Sequence, residues 1–399
     1  MRSAGSMALR VAVAGFAGLG LLWLSISVTA VNVFRDVQPE TALAFWPGDG
    51  FALANLAESR LSSDLSAPSR EFARSQAARA LAAEPTAASA ARTLAAISAS
   101  DAIARRRFGY ARRLSRRDLG TNLYFIEDAV RRNDVPASLE QYDIALRTSQ
   151  VVARQLLFPI LDSALGDPQL TGPIGHLLAR GGDWAPEFVD FSAGQRTHAV
   201  ALARALVLNP AALSRVADES KIRLIGTLAD QNAFGLADAI FRQAGHPTPP
   251  HTIVRDGGFD HTGYWAPFDW ALSGGGDYGG SINTQDGVLE VYSGGTSGGT
   301  IARQLVRLPA GANRLTVVAT IQSGGDATPA TWTLSCAGAQ PRTLAQLAVN
   351  GPIGARRQSA AAFSAPSGCT WAWLSLAIGG VNQGGRYLAQ IDSVSIDPA

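Results

Sequence analysis

The chain has 399 residues, 47% of them apolar and 17% charged, with 41 glycines and 20 prolines. That length exceeds one ordinary core and predicts two or three domains, and the apolar share excludes a disordered or fibrous chain. A net charge of +2 from 34 basic and 32 acidic residues is no nucleic-acid footprint, and the single lysine, Lys221, points to a GC-rich genome instead of guanidinium chemistry.

The first element is apolar. Between Arg10 and Arg35 the 24 residues from Val11 to Phe34 carry no charge, enough for a helix to cross a hydrocarbon core of about 30 Å. Arg2 and Arg10 precede the run, whereas Asp36 offsets Arg35 after it, a bias that places the N-terminus in the cytoplasm. The expected topology is a single-pass inner-membrane anchor (residues 1–35) with the bulk of the chain periplasmic. The other reading is a signal peptide cleaved after Val28-Thr29-Ala30, giving a secreted or periplasmic protein.

Residues 36–250 read as helices with short loops, since Ala, Leu and Arg recur at helical spacing between Pro47, Pro68, Pro85, Pro136, Gly166, Pro168 and Pro210. One triad recurs at i, i+4, i+7: Ala73, Ala77, Ala80; Ala104, Phe108, Ala111; Ser138, Tyr142, Ala145; Ala237, Phe241, Ala244. Small residues let helices approach closely, and the larger middle residue fills the gap between neighbouring hairpins. The triads resemble the second helix of tetratricopeptide repeats, although the W-x-x-L-G signature of the first helix is missing, so an ordinary helical bundle stands beside that reading.

Residues 102–117 hold seven arginines and no acid. On a helix Ile103, Ala104, Phe108, Ala111 and Leu114 take the inner face, which leaves Arg105, Arg106, Arg112, Arg113, Arg116 and Arg117 as a solvated face or as contacts for an anionic partner such as phospholipid headgroups or an acidic polysaccharide.

Past the proline-rich stretch His246–His251, glycine-rich turns separate strand-like runs at 288–292, 314–322, 330–336, 357–363, 370–377 and 389–396. Alternation at Leu315, Val317, Ala319 and Ile321, and at Trp371, Trp373 and Ser375, predicts strands with one buried face, so residues 251–399 should form an antiparallel β-sandwich. The expected fold is therefore multidomain, α then β.

Val254–Asp260 and Ile391–Asp397 look like the paired first and last strands of carbohydrate-binding jelly rolls of the galactose-binding-like type. That resemblance implies a structural calcium near the two ends, for which Asp260 and Asp392 are the matching positions, and no other cofactor. Tyr264, Trp265, Asp269 and Trp270 are the candidate glycan contacts, because aromatic faces stack on sugar rings; the alternative makes Trp265 an edge cover and Trp270 a core plug. Together with the anchor and the helical triads, Arg303-Gln304-Leu305 and the spacings Trp332/Cys336 and Cys369/Trp373 resemble exported repeat proteins of bacterial exopolysaccharide loci. Cys336 and Cys369, the only cysteines, lie in one exported domain and are expected to form a disulfide, with a buried pair of thiols as the alternative.

Catalytic motifs fail their context. Gly295-Thr-Ser-Gly-Gly299 matches G-x-S-x-G, but no histidine follows His261 and the surroundings read as a loop between strands. Gly274-x-Gly276-x-x-Gly279 leads to a strand instead of a helix, and the five histidines have no metal-ligand spacing. A polysaccharide hydrolase would need a carboxylate pair among the nine acids of the β region. The expectation is a non-catalytic, membrane-tethered adaptor in envelope or exopolysaccharide assembly with an envelope protein partner; the alternative is a glycan-binding protein acting through the sandwich.

Overall fold

The computed structural model describes residues 3–148, 150–246, 252–324, 330–380 and 386–398, with side chains from residue 13 onward, Gln150 excepted. Residues 247–251 of the proline-rich stretch lie outside the described residues. The chain divides into two compact units, Met1–Leu157 and Phe158–Ala399.

The first unit opens with α1 (Ser3–Phe34) and α2 (Pro39–Phe45). Among the described residues, Val13–Phe34 is the one stretch of helix long and apolar enough to cross a membrane. Helices then follow in pairs: α3 (Gly50–Ser63) with α4 (Ala67–Ala83), α5 (Ala88–Ala96) with α6 (Asp101–Leu114), and α7 (Leu119–Arg131) with α8 (Val135–Thr148). Each start has a chemical cause. Asp49 accepts from the Ala52 amide at 2.7 Å and Asp118 from the Thr121 amide at 2.9 Å, satisfying donors that the first turn leaves free, and Ser66 caps α4 in the same way.

The first unit has an alanine interior. Ala54, Ala57, Ala73, Ala77, Ala80 and Ala87 are fully buried, and three of the four predicted triads fall on α4, α6 and α8, the second helix of each pair. A methyl group buries little area, about 0.8 kcal/mol each, so closeness of approach compensates for small side chains. At Gly50 an added Cβ would lie 2.4 Å from the Cβ of Glu84. Arg92 ties the pairs together: it forks onto Glu58 with two bonds of 2.7 Å and meets Asp118 at 2.9 Å, so α3, α5 and the start of α7 share one charged clasp.

Helix α9 (Gln150–Ala164) runs into the second unit, where α10 (Pro168–Arg180), α11 (Trp184–Gly194), α12 (Ala199–Val207), α13 (Pro210–Leu213), α14 (Asp218–Asp230) and α15 (Phe234–Gln243) follow. Larger side chains fill this interior, with Phe158 5.4 Å from Phe188 and Trp184 6.5 Å from Phe188. Asp162 accepts from the Ser192 hydroxyl and meets the His198 ring at 2.9 Å. The fourth triad lies on α15 and its C-cap, Ala244.

Two antiparallel sheets complete the second unit. One orders β1 (Ala271–Leu272), β5 (Gly299–Arg307), β10 (Trp371–Ile378), β7 (Thr331–Cys336) and β8 (Thr343–Ala348). The other orders β2 (Gly274–Gly275), β3 (Tyr278–Asn283), β4 (Val288–Ser293), β11 (Tyr387–Pro398), β6 (Gly311–Ser323) and β9 (Arg356–Ala365). The expected inward row Leu315, Val317, Ala319 and Ile321 is buried in the core with Leu374, Leu376, Trp332 and Ile391. The Cys336–Cys369 disulfide forms, with Cα atoms 5.5 Å apart, and joins the end of β7 to the approach of β10.

Two expectations are corrected. Val254–Asp260 is no strand: Asp256 and Phe259 adopt φ of 48° and 57°, left-handed values that break extension. The segment is a turn whose one ladder-like bond runs from the Val394 amide to the Gly257 carbonyl, and a Cβ on Gly257 would meet Val394 oxygen at 2.2 Å. Trp371 and Trp373 do not share the core row either. Ala372, Leu374 and Leu376 point inward, which turns the two tryptophans to the outer side of the sheet.

Candidate functional site

The outer side of the five-stranded sheet is covered. Phe234, at the start of α15, places its ring 6.3 Å from Trp371 and 6.4 Å from Trp373, and Phe241 stacks on Phe268 at 4.8 Å. Arg303 on β5 lays its guanidinium 3.4 Å from the centre of the Trp373 ring; burial lowers its pKa, with Asp230 of α14 acting in the opposite sense. Helix α15 thus packs on the sandwich through an aromatic seam. The compositional change near residue 250 marks where helices give way to strands.

Where this seam opens, it leaves a cleft of about 870 Å³. Asp238 and Arg242 line it from α15, Arg255 and Phe268 from the turn region, Arg307 from β5, and Trp371 from β10. The volume lies within the range of small-ligand sites, about 300–1,000 Å³. Gln304, fully buried, builds the floor: its side chain accepts from the Arg255 amide at 3.0 Å and donates to the Arg255 carbonyl at 2.9 Å, standing in for a missing strand neighbour. That fixes the backbone from which the Arg255 guanidinium reaches over Phe241 at 4.9 Å and to Asp269 at 3.2 Å. Arg242 pairs with Asp238 at 3.0 Å, and Asp397 accepts from the Ser395 hydroxyl at 2.9 Å. Arg307 has no ion-pair partner among the described residues. The walls therefore offer guanidinium donors, carboxylate acceptors and a half-buried indole together, an arrangement able to meet a ligand dense in hydroxyls with at most one acidic group.

The predicted glycan contacts do not come together as a platform. Trp270 is 5% exposed, lies 5.7 Å from Trp332 in the core and donates its indole N–H to the Asp256 carbonyl. Trp265, 7% exposed, is packed between His246 at 4.4 Å and Phe241 at 6.0 Å. Both rings are structural, because neither leaves a face to solvent on which a sugar could stack. Asp269 accepts from the Trp265 amide at 3.0 Å besides meeting Arg255, which holds the turn closed. Tyr264 alone is open, at 78% exposure.

Of the candidate metal residues, Asp392 faces Arg356 at 3.5 Å, and the Asp260 amide donates to Asp256 at 2.8 Å. No group of three His, Cys, Asp or Glu residues is placed to hold a metal among the described residues. Two carboxylates alone do not make up the six to eight oxygens that a structural calcium takes.

The arginine-rich helix is α6 with the loop after it, and much of its charge is spent internally. Arg105 meets Asp128 at 2.6 Å; burial alone would raise that carboxyl, but the bond and charge of Arg105, joined by Arg132 and Arg131, hold its pKa below the usual value. Arg112 lies over Phe125 and Arg113 over Tyr110. Arg106, Arg116 and Arg117 remain as exposed side chains without an ion pair among the described residues. Ile103, expected inside, is largely exposed, while Phe108 is buried and stacks on Tyr124 at 3.7 Å.

Sequence reasoning missed the cleft because its residues come from five distant segments. The nearest signal was Arg303-Gln304-Leu305: a glutamine flanked by apolar and cationic residues in a strand is buried only when something specific satisfies both ends of its amide.

No protein-family model matches the sequence, and no curated protein matches it. Among solved structures, a CBM4 module is similar at 14% identity, covering 37% of this chain and 99% of its own, with a TM-score of 0.29. TmCBM61 in complex with β-1,4-galactotriose is similar at 15% identity, over 37% of this chain and 99% of its own, with a TM-score of 0.27. The enzymatically active domain of bacteriophage CBA120 tailspike protein 4 is similar at 14% identity, over 38% of this chain and 22% of its own, with a TM-score of 0.26.

Proposed function

We propose that the protein is a non-catalytic, membrane-tethered scaffold of the cell envelope that holds a glycan segment in the cleft between α15 and the sandwich. The observation that carries this reading is the cleft itself: about 870 Å³, floored by a buried glutamine and walled by Arg–Asp pairs, Arg307 and Trp371. Paired guanidinium and carboxylate groups bind vicinal hydroxyls from both sides, and a half-buried indole adds apolar contact for the less polar face of a sugar ring. The two cleft carboxylates, Asp238 and Asp397, are already engaged by Arg242 and Ser395, which favours recognition over acid–base chemistry. Paired helices with small-residue contacts support a tetratricopeptide-like scaffold for an envelope protein partner, and the resemblance to exported proteins of exopolysaccharide loci supplies the setting.

Retention of the N-terminal helix is supported by packing. Ser27 and Val31 are buried, and Trp23 lies 6.4 Å from Phe45, so cleavage after Ala30 would remove part of the first unit's own interior. The test is calorimetric titration of the full chain in lipid nanodiscs with neutral and uronate-containing oligosaccharides. Saturable binding that Arg307→Ala weakens about tenfold or more, with no new reducing ends released, is the expected result. Absence of saturable binding to either class, or binding indifferent to Arg307, would overturn the glycan reading.

A further inference from the structure

The apolar helix and the first unit overlap along the membrane normal. Helix α1 is continuous from Ser3 to Phe34, and its last turns belong to the folded unit: Ser27 and Val31 are buried, on the stripe that also holds Phe34, against Pro39 and Ala42 of α2. After Phe34 the chain reverses, and α2 runs back along α1 until Phe45 sits 6.4 Å from Trp23. The eleven steps from Trp23 to Phe34 rise about 16 Å at 1.5 Å each. A hydrocarbon core of about 30 Å needs about 20 residues. Counted from Arg10, where the uncharged run begins, that core reaches about Ala30. The far end of α2 therefore lies below the level at which the core ends.

We infer that the end of α2, with Phe45, Trp46 and the following Pro47-Gly48 turn, dips into the outer leaflet of the bilayer that α1 crosses, so that the first unit rests on the membrane instead of swinging from it. The inference rests on the membrane-anchor reading. Residue chemistry follows the same axis. Arg35, Asp36 and Glu40 cluster at the reversal, the end farthest from the bilayer, while Ala44, Phe45 and the 48% exposed Trp46 lie at the end nearest it. Tryptophan favours the headgroup boundary because its ring is apolar and its N–H needs a polar partner. Trp23, 62% exposed on α1, adds a second indole beside Phe45 on the outer-leaflet side of the helix.

Both native cysteines are in the disulfide, so one added thiol can be spin-labelled alone. The experiment reconstitutes the full chain in phosphatidylethanolamine–phosphatidylglycerol vesicles with single substitutions Leu22→Cys, Val37→Cys, Ala44→Cys and Gly48→Cys, all at exposed positions. Collision with oxygen is compared with collision with a water-soluble nickel chelate. Labels at 22, 44 and 48 should favour oxygen several-fold, with 22 deepest, and the label at 37 should favour the chelate. If 22 reports lipid but 44 and 48 report water, the seating is wrong while the anchor stands. If 22 reports water, or is missing from the mature chain, anchor and seating fail together.

Discussion

The two units solve the same problem, closing helix onto neighbour, with opposite materials. In the first unit, α3 and α4 meet through alanines that bring backbones close, and shape is set by what is absent from the side chains. In the second, α15 meets the outer face of a sheet through Phe234, Phe241, Phe268, Trp371 and Trp373, and large rings hold the surfaces apart as well as together. Close alanine packing leaves no room for a ligand. An aromatic seam cannot tile a surface completely, and the cleft opens where its rings run out.

The sharpest way to break that contrast is Phe241→Ala, which deletes a fully buried ring touching Phe268 and Trp265 and supporting Arg255. A loss of about 3–5 kcal/mol is expected for a truncated core phenylalanine, read as a lower urea midpoint. Because the seam joins helices to sandwich, near-ultraviolet signals of the tryptophans should change together with helical content. A sandwich that unfolds independently of α14 and α15 would show the seam to be incidental. Reduction of Cys336–Cys369 comes next. Opening a loop of 33 residues costs about 3–4 kcal/mol in the chain-entropy view and should lower the transition of the second unit while leaving the first unmoved.

On the alanine side, Ala77→Leu inserts three carbons where no space exists and should cost about 1–3 kcal/mol, whereas Ala77→Gly should cost about 1 kcal/mol from helix propensity. If leucine were tolerated better than glycine, close approach would not be what organises this unit. The smallest effect is electrostatic. The Asp64 carboxyl is held at about 2, against an ordinary 3.8, by bonds from Ser69 and Ser66 ahead of α4. A depressed carboxylate favours folding above its unfolded pKa and loses that contribution as pH falls, so the stabilisation should be complete above about pH 4 and fade toward pH 2. Asp64→Asn should flatten this portion of the acid-unfolding curve measured by circular dichroism.

The contrast also explains what was legible. Small residues at i, i+4, i+7 identify a helix face from the letters alone, and all four triads lie on helices that follow a short turn. Strands with strict alternation, such as the row Leu315 to Ile321, were equally plain. β5 was not anticipated because Ile301, Ala302, Gln304, Leu305 and Val306 are buried in near succession: the strand is covered on both faces and loses its period of two. The same double coverage misdirected Trp265 and Trp270. Aromatic clusters beside a turn look like sugar platforms until what covers them is known: for Trp265 it is α15, more than twenty residues earlier, and for Trp270 the sandwich core around Trp332.

Hydrogen exchange of the full chain in nanodiscs, with and without the oligosaccharide that binds best in titration, tests the central claim most directly. Occupation of the cleft should slow exchange in peptides covering 238–242, 304–310 and 370–371 and leave the outer side of the six-stranded sheet and the loop around Tyr264 unchanged. Protection confined to Tyr264 or to the six-stranded sheet would place the ligand elsewhere and contradict the assignment of the cleft.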